Sequence, residues 1–325
     1  MKAVLCKEYG TPETLVFEEV ESRPLGKDEV RIAVRAAGVN FPDTLIIQGL
    51  YQFKPPMPFS PGGEAAGDVT EVGADVSAVK VGDRVVWRSI FGGFAEEIVA
   101  GEAEVMKIPD SMDYETAAGM FLTYGTSYHA LVQRANIQPG ETLLVLGAAG
   151  GVGLAAVDIG AALGAKVIAA ASSDDKLELT KQYGADLTIN YSTEDIKVRA
   201  KELTGGKGVD VIYDPVGGDL FEQSLRAIAR KGRMLVVGFA SGVIPKLPAN
   251  LVLLKDCQVV GVFWGQFTQL EPDVNAQNLR DMIKMFEEGK IKPLISETYP
   301  MENAVDALND ILARKVKGKV VLTTG

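Results

Sequence analysis

The residues with the strongest case for chemistry lie in LLVLGAAGGVGLAAVDIGAALGAKVIAAAS, residues 143–172. An apolar strand runs into Gly150, Gly151, Val152 and Gly153, and the pattern then turns helical without a break. That arrangement suits the pyrophosphate of a dinucleotide. Gly150 lets the backbone approach the anion, and Gly153 lets the helix pack close to the strand. The unpaired N–H groups at the helix start face the negative charge. Ala148 replaces the first glycine of the usual G-x-G-x-x-G pattern. The strand–turn–helix–strand order is nonetheless the context the motif requires.

The end of the second strand selects the cofactor. An NAD enzyme needs a carboxylate there to hold the ribose 2′-OH. Here the position is Ala171, followed by Ser172 and Ser173. No carboxylate at Ala171 repels a 2′-phosphate, and Lys176 offers it a point charge. Asp174 and Asp175 detract from a basic pocket, but as first-turn residues they suit the helix dipole. NADPH is the expected cofactor.

Two kinds of element surround this turn. Residues 1 to about 120 read as short strands and tight turns, as in EVRIAVRAAGV (29–39), GDVTEVGADV (67–76) and VGDRVVW (81–87). Gly, Asp and Asn punctuate them, which predicts a mainly-β unit. After Tyr114 the stretch 115–135 has helical spacing. The apolar runs LLVLG (143–147), KVIAAA (166–171), DLTIN (186–190), DVIYD (210–214), MLVVG (234–238) and QVVGVF (258–263) then alternate with helical stretches at 152–164, 176–184 and 220–230. Strands apolar throughout and separated by helices predict an α/β domain, a Rossmann-type doubly wound parallel sheet covered on both faces. Two further helices, at 278–291 and 303–315, precede GKVVLTT (318–324), a last strand expected to return to the first domain. The expected boundaries are 1–122, 123–266 and 267–325.

Bulk properties exclude several classes. The 325 residues include 33 basic and 43 acidic ones, a formal charge of −10, which disfavours sequence-independent nucleic-acid binding. No uncharged apolar stretch is long enough to span a bilayer. The opening MKAVLCKEYG has no apolar signal core. With only Cys6 and Cys257, far apart in sequence, a reduced cytoplasmic protein is expected over a disulfide-bonded one.

The chain as a whole resembles the medium-chain dehydrogenase/reductase superfamily, and within it the zinc-free quinone oxidoreductase, or zeta-crystallin-like, branch. The resemblance rests on AAGVNFPDTLIIQGLY (36–51), PGGEAAGDVTEVG (61–73), VGDRV (81–85), AAGGVG (148–153), NY (190–191), DPVGG (214–218), GFASG (238–242) and GKVVLT (318–323). It implies a GroES-like catalytic domain made of the N-terminal segment and the C-terminal tail, with the cofactor domain inserted between. Zinc-dependent relatives use a cysteine in the first loop, a histidine in P-G-H-E and a four-cysteine lobe. This chain has Gly38-Val39-Asn40 in that loop, Gly63 in place of the histidine, His129 as its one histidine and no cysteine cluster. A zinc site needs Cys or His ligands in greater number, so no metal is expected.

Further contacts are implied by the resemblance. Asn40 and Thr126 match residues near the nicotinamide, and Ser172, Lys176 and Tyr191 match positions around the 2′-phosphate. Phe239, Ser241 and Gly242 match a loop along the cofactor. Each has a plainer reading: Asn40 as the cap of a turn, Thr126 as the cap of a helix, Phe239 as core. Tyr51 is read either as a donor to the acceptor oxygen, with Asn40 as a weaker partner, or as a packing aromatic. Leu45 stands where the branch often carries a tyrosine. Phe53, Trp87, Phe91, Trp264 and Phe267 could line a flat pocket for a ring.

A quinone delocalises the charge that arrives with hydride and needs no metal, whereas alcohol oxidation needs a metal or an acid at the developing alkoxide. Quinone reduction is therefore the expected reaction. Reduction of an enone or enoyl thioester is one alternative, and an NADPH-binding structural or nucleic-acid-binding role is another. QVVGVF (258–263) is a candidate for pairing across a two-fold axis in a homodimer.

Overall fold

The computed structural model describes residues 1–325. The chain divides into two compact units, Met1–Leu122 with Pro293–Gly325, and Thr123–Lys292.

In the first unit β1 (Lys2–Leu5) pairs antiparallel with β2 (Val16–Glu19). β3 (Glu29–Val39) buries Val30, Ile32 and Val34 in alternation, as expected for an antiparallel strand with one face on a core. α1 (Phe41–Ile46) follows it directly. β4 (Glu64–Val72), β5 (Arg84–Arg88), β6 (Glu97–Gly101) and β7 (Val105–Lys107) complete the first segment, and α2 (Tyr114–Tyr128) carries the chain into the second unit.

In the second unit strands and helices alternate as the apolar runs predicted. They are β8 (Thr142–Leu146), α3 (Gly151–Ala162), β9 (Lys166–Ala171), α4 (Asp174–Lys181), β10 (Leu187–Asn190), α5 (Ile196–Leu203), β11 (Val209–Asp214), α6 (Asp219–Arg226), β12 (Ile228–Val236), α7 (Ala249–Lys255) and β13 (Gln258–Gly261). All six strands are parallel, in the order β10-β9-β8-β11-β12-β13. Leu143, Leu144, Val145 and Leu146 are fully buried, as a strand covered on both faces must be. The helix expected over 220–230 ends at Arg226, because Ile228 already pairs with Val209 as the start of β12. α5 lay in a stretch with no clear apolar stripe and was not foreseen.

α8 (Trp264–Leu270) and α9 (Pro272–Glu287) also belong to the second unit, so the expected boundary at 266 moves to Lys292. The physical reason is packing. Phe267 stacks on His129 at 4.0 Å between ring centroids, and Met282 is fully buried. The side-chain amides of Gln133 and Asn278 bond each other in both directions at 2.9 and 3.1 Å. The chain then returns to the first unit with β14 (Ile295–Pro300), α10 (Ala304–Leu312) and β15 (Lys319–Thr323). β15 pairs antiparallel with β3, with Val320 opposite Val39, in a sheet ordered β14-β15-β3-β4-β5-β7 to which β6 adds through β3. Cys6 and Cys257 are both free thiols. No helix is long and apolar enough to cross a membrane.

Candidate active site

The glycine turn sits at the carboxyl end of β8, where the strand order reverses between β8 and β11. Open α/β sheets bind ligands at such a point. Gly153 is required by the fold itself: a Cβ there would lie 2.2 Å from the Gly147 carbonyl oxygen and 3.0 Å from Ala148 Cα. Gly150 is different. It is the N-cap of α3 at φ −80° and ψ 171°, a conformation open to any residue, and a Cβ would find nothing nearer than 3.5 Å. Nothing within the chain demands glycine at 150, and its backbone surface stays uncovered by a side chain at the helix start. The N–H groups of Gly151, Val152 and Gly153 open the helix without intrahelical acceptors. Ser127 of α2 locks the turn by donating to the Val152 carbonyl at 2.9 Å and sharing a 2.8 Å hydrogen bond with the Tyr213 hydroxyl. Thr126, its half-buried neighbour, lies within α2 and caps no helix end.

At the end of β9 Ala171 is buried and its carbonyl accepts from the Tyr191 N–H at 3.1 Å. Ser192 Oγ donates to the Ser172 carbonyl at 2.8 Å. Ser172 and Tyr191 are thus brought to adjacent strand ends, with Lys176 in the first turn of α4. The two aspartates that argued against a basic pocket have local partners. Asn190 Nδ2 donates to Asp174 at 2.7 Å, and the Ser173 hydroxyl donates to Asp175.

The third and fourth strand ends of the site fold together. Asp214 closes the DPVGG turn by accepting the Val216 and Gly217 N–H groups, both at 2.8 Å. Burial raises its carboxyl pKa, and those two donors oppose the rise. The Ala240 and Ser241 N–H groups donate to the Pro215 and Val216 carbonyls at 3.0 and 2.9 Å, and Val243 N–H donates to Ser241 Oγ at 3.2 Å. Phe239 is half-buried in this loop, its ring set against Gly217. Gly242 has φ +83°, which favours glycine.

In the first unit Asn40 is the N-cap of α1, but its side chain does not cap the helix. The buried ammonium of Lys319 donates to the Val39 carbonyl at 2.9 Å, to Asn40 Oδ1 at 2.7 Å and to Glu64 Oε1 at 2.9 Å. Asn40 Nδ2 donates to Glu64 Oε1 at 2.9 Å and to the Gly38 carbonyl at 3.3 Å. Glu64, with no exposed surface, accepts the Leu122 N–H on Oε2 at 2.9 Å. Asp43 takes over the capping role and accepts the Asn40 N–H at 2.7 Å. Burial pushes its carboxyl up to about 7, against the lowering effect of the Asn40 N–H and the Lys319 charge.

Asn40 was foreseen; its partners Glu64, Lys319 and Asp43 were not. The available signals were a charged residue inside each of the apolar segments PGGEAAG and GKVVLT, and an acid three residues after Asn40. Tyr51 is half-buried against the same core, and its hydroxyl has no hydrogen-bond partner in the chain. Burial raises its pKa, and the charge of Asp43 adds to the rise. Phe53 and Phe91 stack at 6.1 Å, and Trp87 is core of the first unit, while Trp264 and Phe267 are buried in the second.

Residues 26–110 match the family of alcohol dehydrogenase GroES-like domains, and residues 151–286 match the zinc-binding dehydrogenase family. The chain is 44% identical over 326 residues to a quinone oxidoreductase-like protein 2 homolog of Nematostella vectensis, covering 99% of this chain and 89% of that protein. Among solved structures it superposes with TM-score 0.93 on the Escherichia coli quinone oxidoreductase complexed with NADPH, 31% identical, over 99% of this chain and all of that one. It superposes with TM-score 0.90 on the CurK enoyl reductase, 30% identical, over all of this chain and 99% of that one.

Proposed function

Because this chain belongs to the quinone oxidoreductase branch of the medium-chain dehydrogenase/reductase superfamily, we propose that it is an NADPH-dependent oxidoreductase reducing a quinone without zinc. The observation that carries the cofactor assignment is Gly150, a glycine that the fold does not need, at a helix start facing the ligand end of the sheet. When bound, NADPH supplies the hydride. Gly150, Gly151, Val152 and Gly153 hold its pyrophosphate by backbone N–H groups, and Ser172, Lys176 and Tyr191 hold the 2′-phosphate. Thr126, Phe239, Ser241 and Gly242 flank the rest of the cofactor, and Asn40 is the nicotinamide-side candidate that the resemblance names.

Tyr51 donates its hydroxyl hydrogen bond to the acceptor oxygen as negative charge develops there. Both N–H bonds of the Asn40 amide are already engaged, so Asn40 orients and Tyr51 donates. Tyr51→Phe should lower kcat by about 100- to 1000-fold, the range of one lost donor to a developing oxyanion. The NADPH KM and melting temperature should stay nearly unchanged. Equal kcat for both proteins would remove Tyr51 from the chemistry.

Zinc independence is supported by the donor set: Asn40 and Gly63 occupy the positions where the resemblance expects ligands, and no three His, Cys, Asp or Glu side chains gather where they could hold one ion. The direct test is NADPH oxidation in excess chelator with a small quinone, an enone and a short enoyl thioester. Turnover of the quinone above the others is expected; preference for the enone or thioester would support the second reading, which the likeness to an enoyl reductase favours. Activity lost with chelator and regained with zinc would end the metal-free reading.

β13 is an outer strand of its sheet, and Leu253, Leu254 and Phe263 beside it are 80%, 75% and 51% exposed. An apolar open edge of this kind supports pairing with a second copy, and sedimentation should give the mass of two chains rather than one. The two free thiols fit a cytoplasmic setting.

A further inference from the structure

We propose that Lys319, on the last strand, is the positioning residue of the acceptor side, fixing which way the Asn40 amide points by clamping it between an ammonium and the Glu64 carboxylate. The inference rests on the assignment of Asn40 to the site. A carboxamide fits its cavity almost equally well when turned over, so its neighbours must choose the orientation. An ammonium can only donate and an ionised carboxylate can only accept. Lys319 Nζ lies 2.7 Å from one end of the amide and Glu64 Oε1 lies 2.9 Å from the other, so only one orientation satisfies both.

Every part of the clamp is itself committed. The three donors of Lys319 are used on the Val39 carbonyl, Asn40 and Glu64. Glu64 is held from its other oxygen by the Leu122 N–H. Gly38, opposite Glu64 in the β3–β4 register, has no room for a side chain: a Cβ would lie 2.1 Å from the Ala118 carbonyl oxygen and 2.6 Å from Glu64 Oε1. The clamp also explains why a charged residue stands in the apolar run of β15. An ion pair so fully buried is weak evidence for stability, so a positioning role is the better account of its presence.

Removing Lys319 alone would strand Glu64 in the interior and could unfold the chain. The decisive protein is therefore the double variant Lys319→Met with Glu64→Gln, which buries no charge and leaves the Asn40 amide between a thioether and a second amide. A glutamine both donates and accepts, so only the long 3.3 Å hydrogen bond to the Gly38 carbonyl is left to choose the orientation of Asn40. Folding would be followed by thermal melting, cofactor affinity by the quenching of NADPH fluorescence, and turnover with the acceptor that the wild type reduces best.

The expected result is a folded double variant whose NADPH Kd is within about threefold of wild type, while kcat falls at least tenfold, the loss of one well-oriented group. Lys319→Arg, which keeps a donor-only cation but in a wider fork geometry, should fall between the double variant and the wild type in kcat. A folded double variant with wild-type kcat overturns the proposal, as does a kcat loss matched by an equal loss of NADPH affinity. If the double variant does not fold, Lys319→Arg decides, because a guanidinium cannot reproduce the three-way geometry of the ammonium. A lowered kcat at unchanged NADPH affinity then supports the clamp, and unchanged kcat or an equal loss of NADPH affinity overturns it. If the wild type itself oxidises NADPH with no acceptor, the functional reading has failed instead.

Discussion

Gly153→Val should abolish NADPH binding and cost the protein about 2–3 kcal/mol, the upper range for overpacking a close contact. In a chain of 325 residues that is roughly 3–5 °C in melting temperature. The contact is between main chains, which leaves no flexible side chain to yield: the new Cβ would meet the Gly147 oxygen at 2.2 Å. α3 must move off β8, and its first N–H groups move with it. Gly150→Ala separates fold from ligand. Its Cβ meets only the Gly147 oxygen, at 3.5 Å, so the melting temperature should hold while NADPH binding weakens. Calorimetry and NADPH fluorescence titration on the two variants check both statements. Normal NADPH affinity in Gly150→Ala would remove the main support for the pyrophosphate site.

Lys176→Glu should raise the KM for NADPH about 100-fold and leave that for NADH within about threefold. With Lys176 at the proposed 2′-phosphate site, the change would delete a charge-assisted hydrogen bond and set a carboxylate against a phosphate. Charged hydrogen bonds contribute about 1.5–3 kcal/mol, and each 1.4 kcal/mol is a factor of ten. Solvent screening of a half-buried lysine keeps the effect from being larger. The ratio of kcat/KM for the two cofactors is the measurement. Equal losses for NADPH and NADH would place Lys176 away from the ribose.

Much of this was legible because it depends on local rules. The alternation in EVRIAVRAAGV and the apolar run of KVIAAA coincide with β3 and β9, since strand period and burial are written in neighbouring residues. The glycine turn was legible for the same reason. A strand, a tight turn and a helix start lie within a dozen consecutive residues.

What was not legible was long-range. Asn40, Glu64 and Lys319 are separated by 24 and 255 residues from one another in pairs, and no spacing rule links them. Read singly, Lys319 is one more lysine before an apolar strand and Glu64 one more acid at a strand start. The placement of α8 and α9 was equally hidden, because Phe267 and Asn278 show their allegiance only through the partners His129 and Gln133.

The amino-acid order by itself determined the two architectures, the glycine turn and the absence of a carboxylate at Ala171, because hydrophobic period, backbone freedom and side-chain charge are properties of residues and their neighbours. The tertiary structure decided which groups those elements bring face to face. Only the pairing of β15 with β3 puts an ammonium beside Asn40 and Glu64, and only the packing of α8 and α9 on the segment after α2 keeps the chain in the second unit until Lys292.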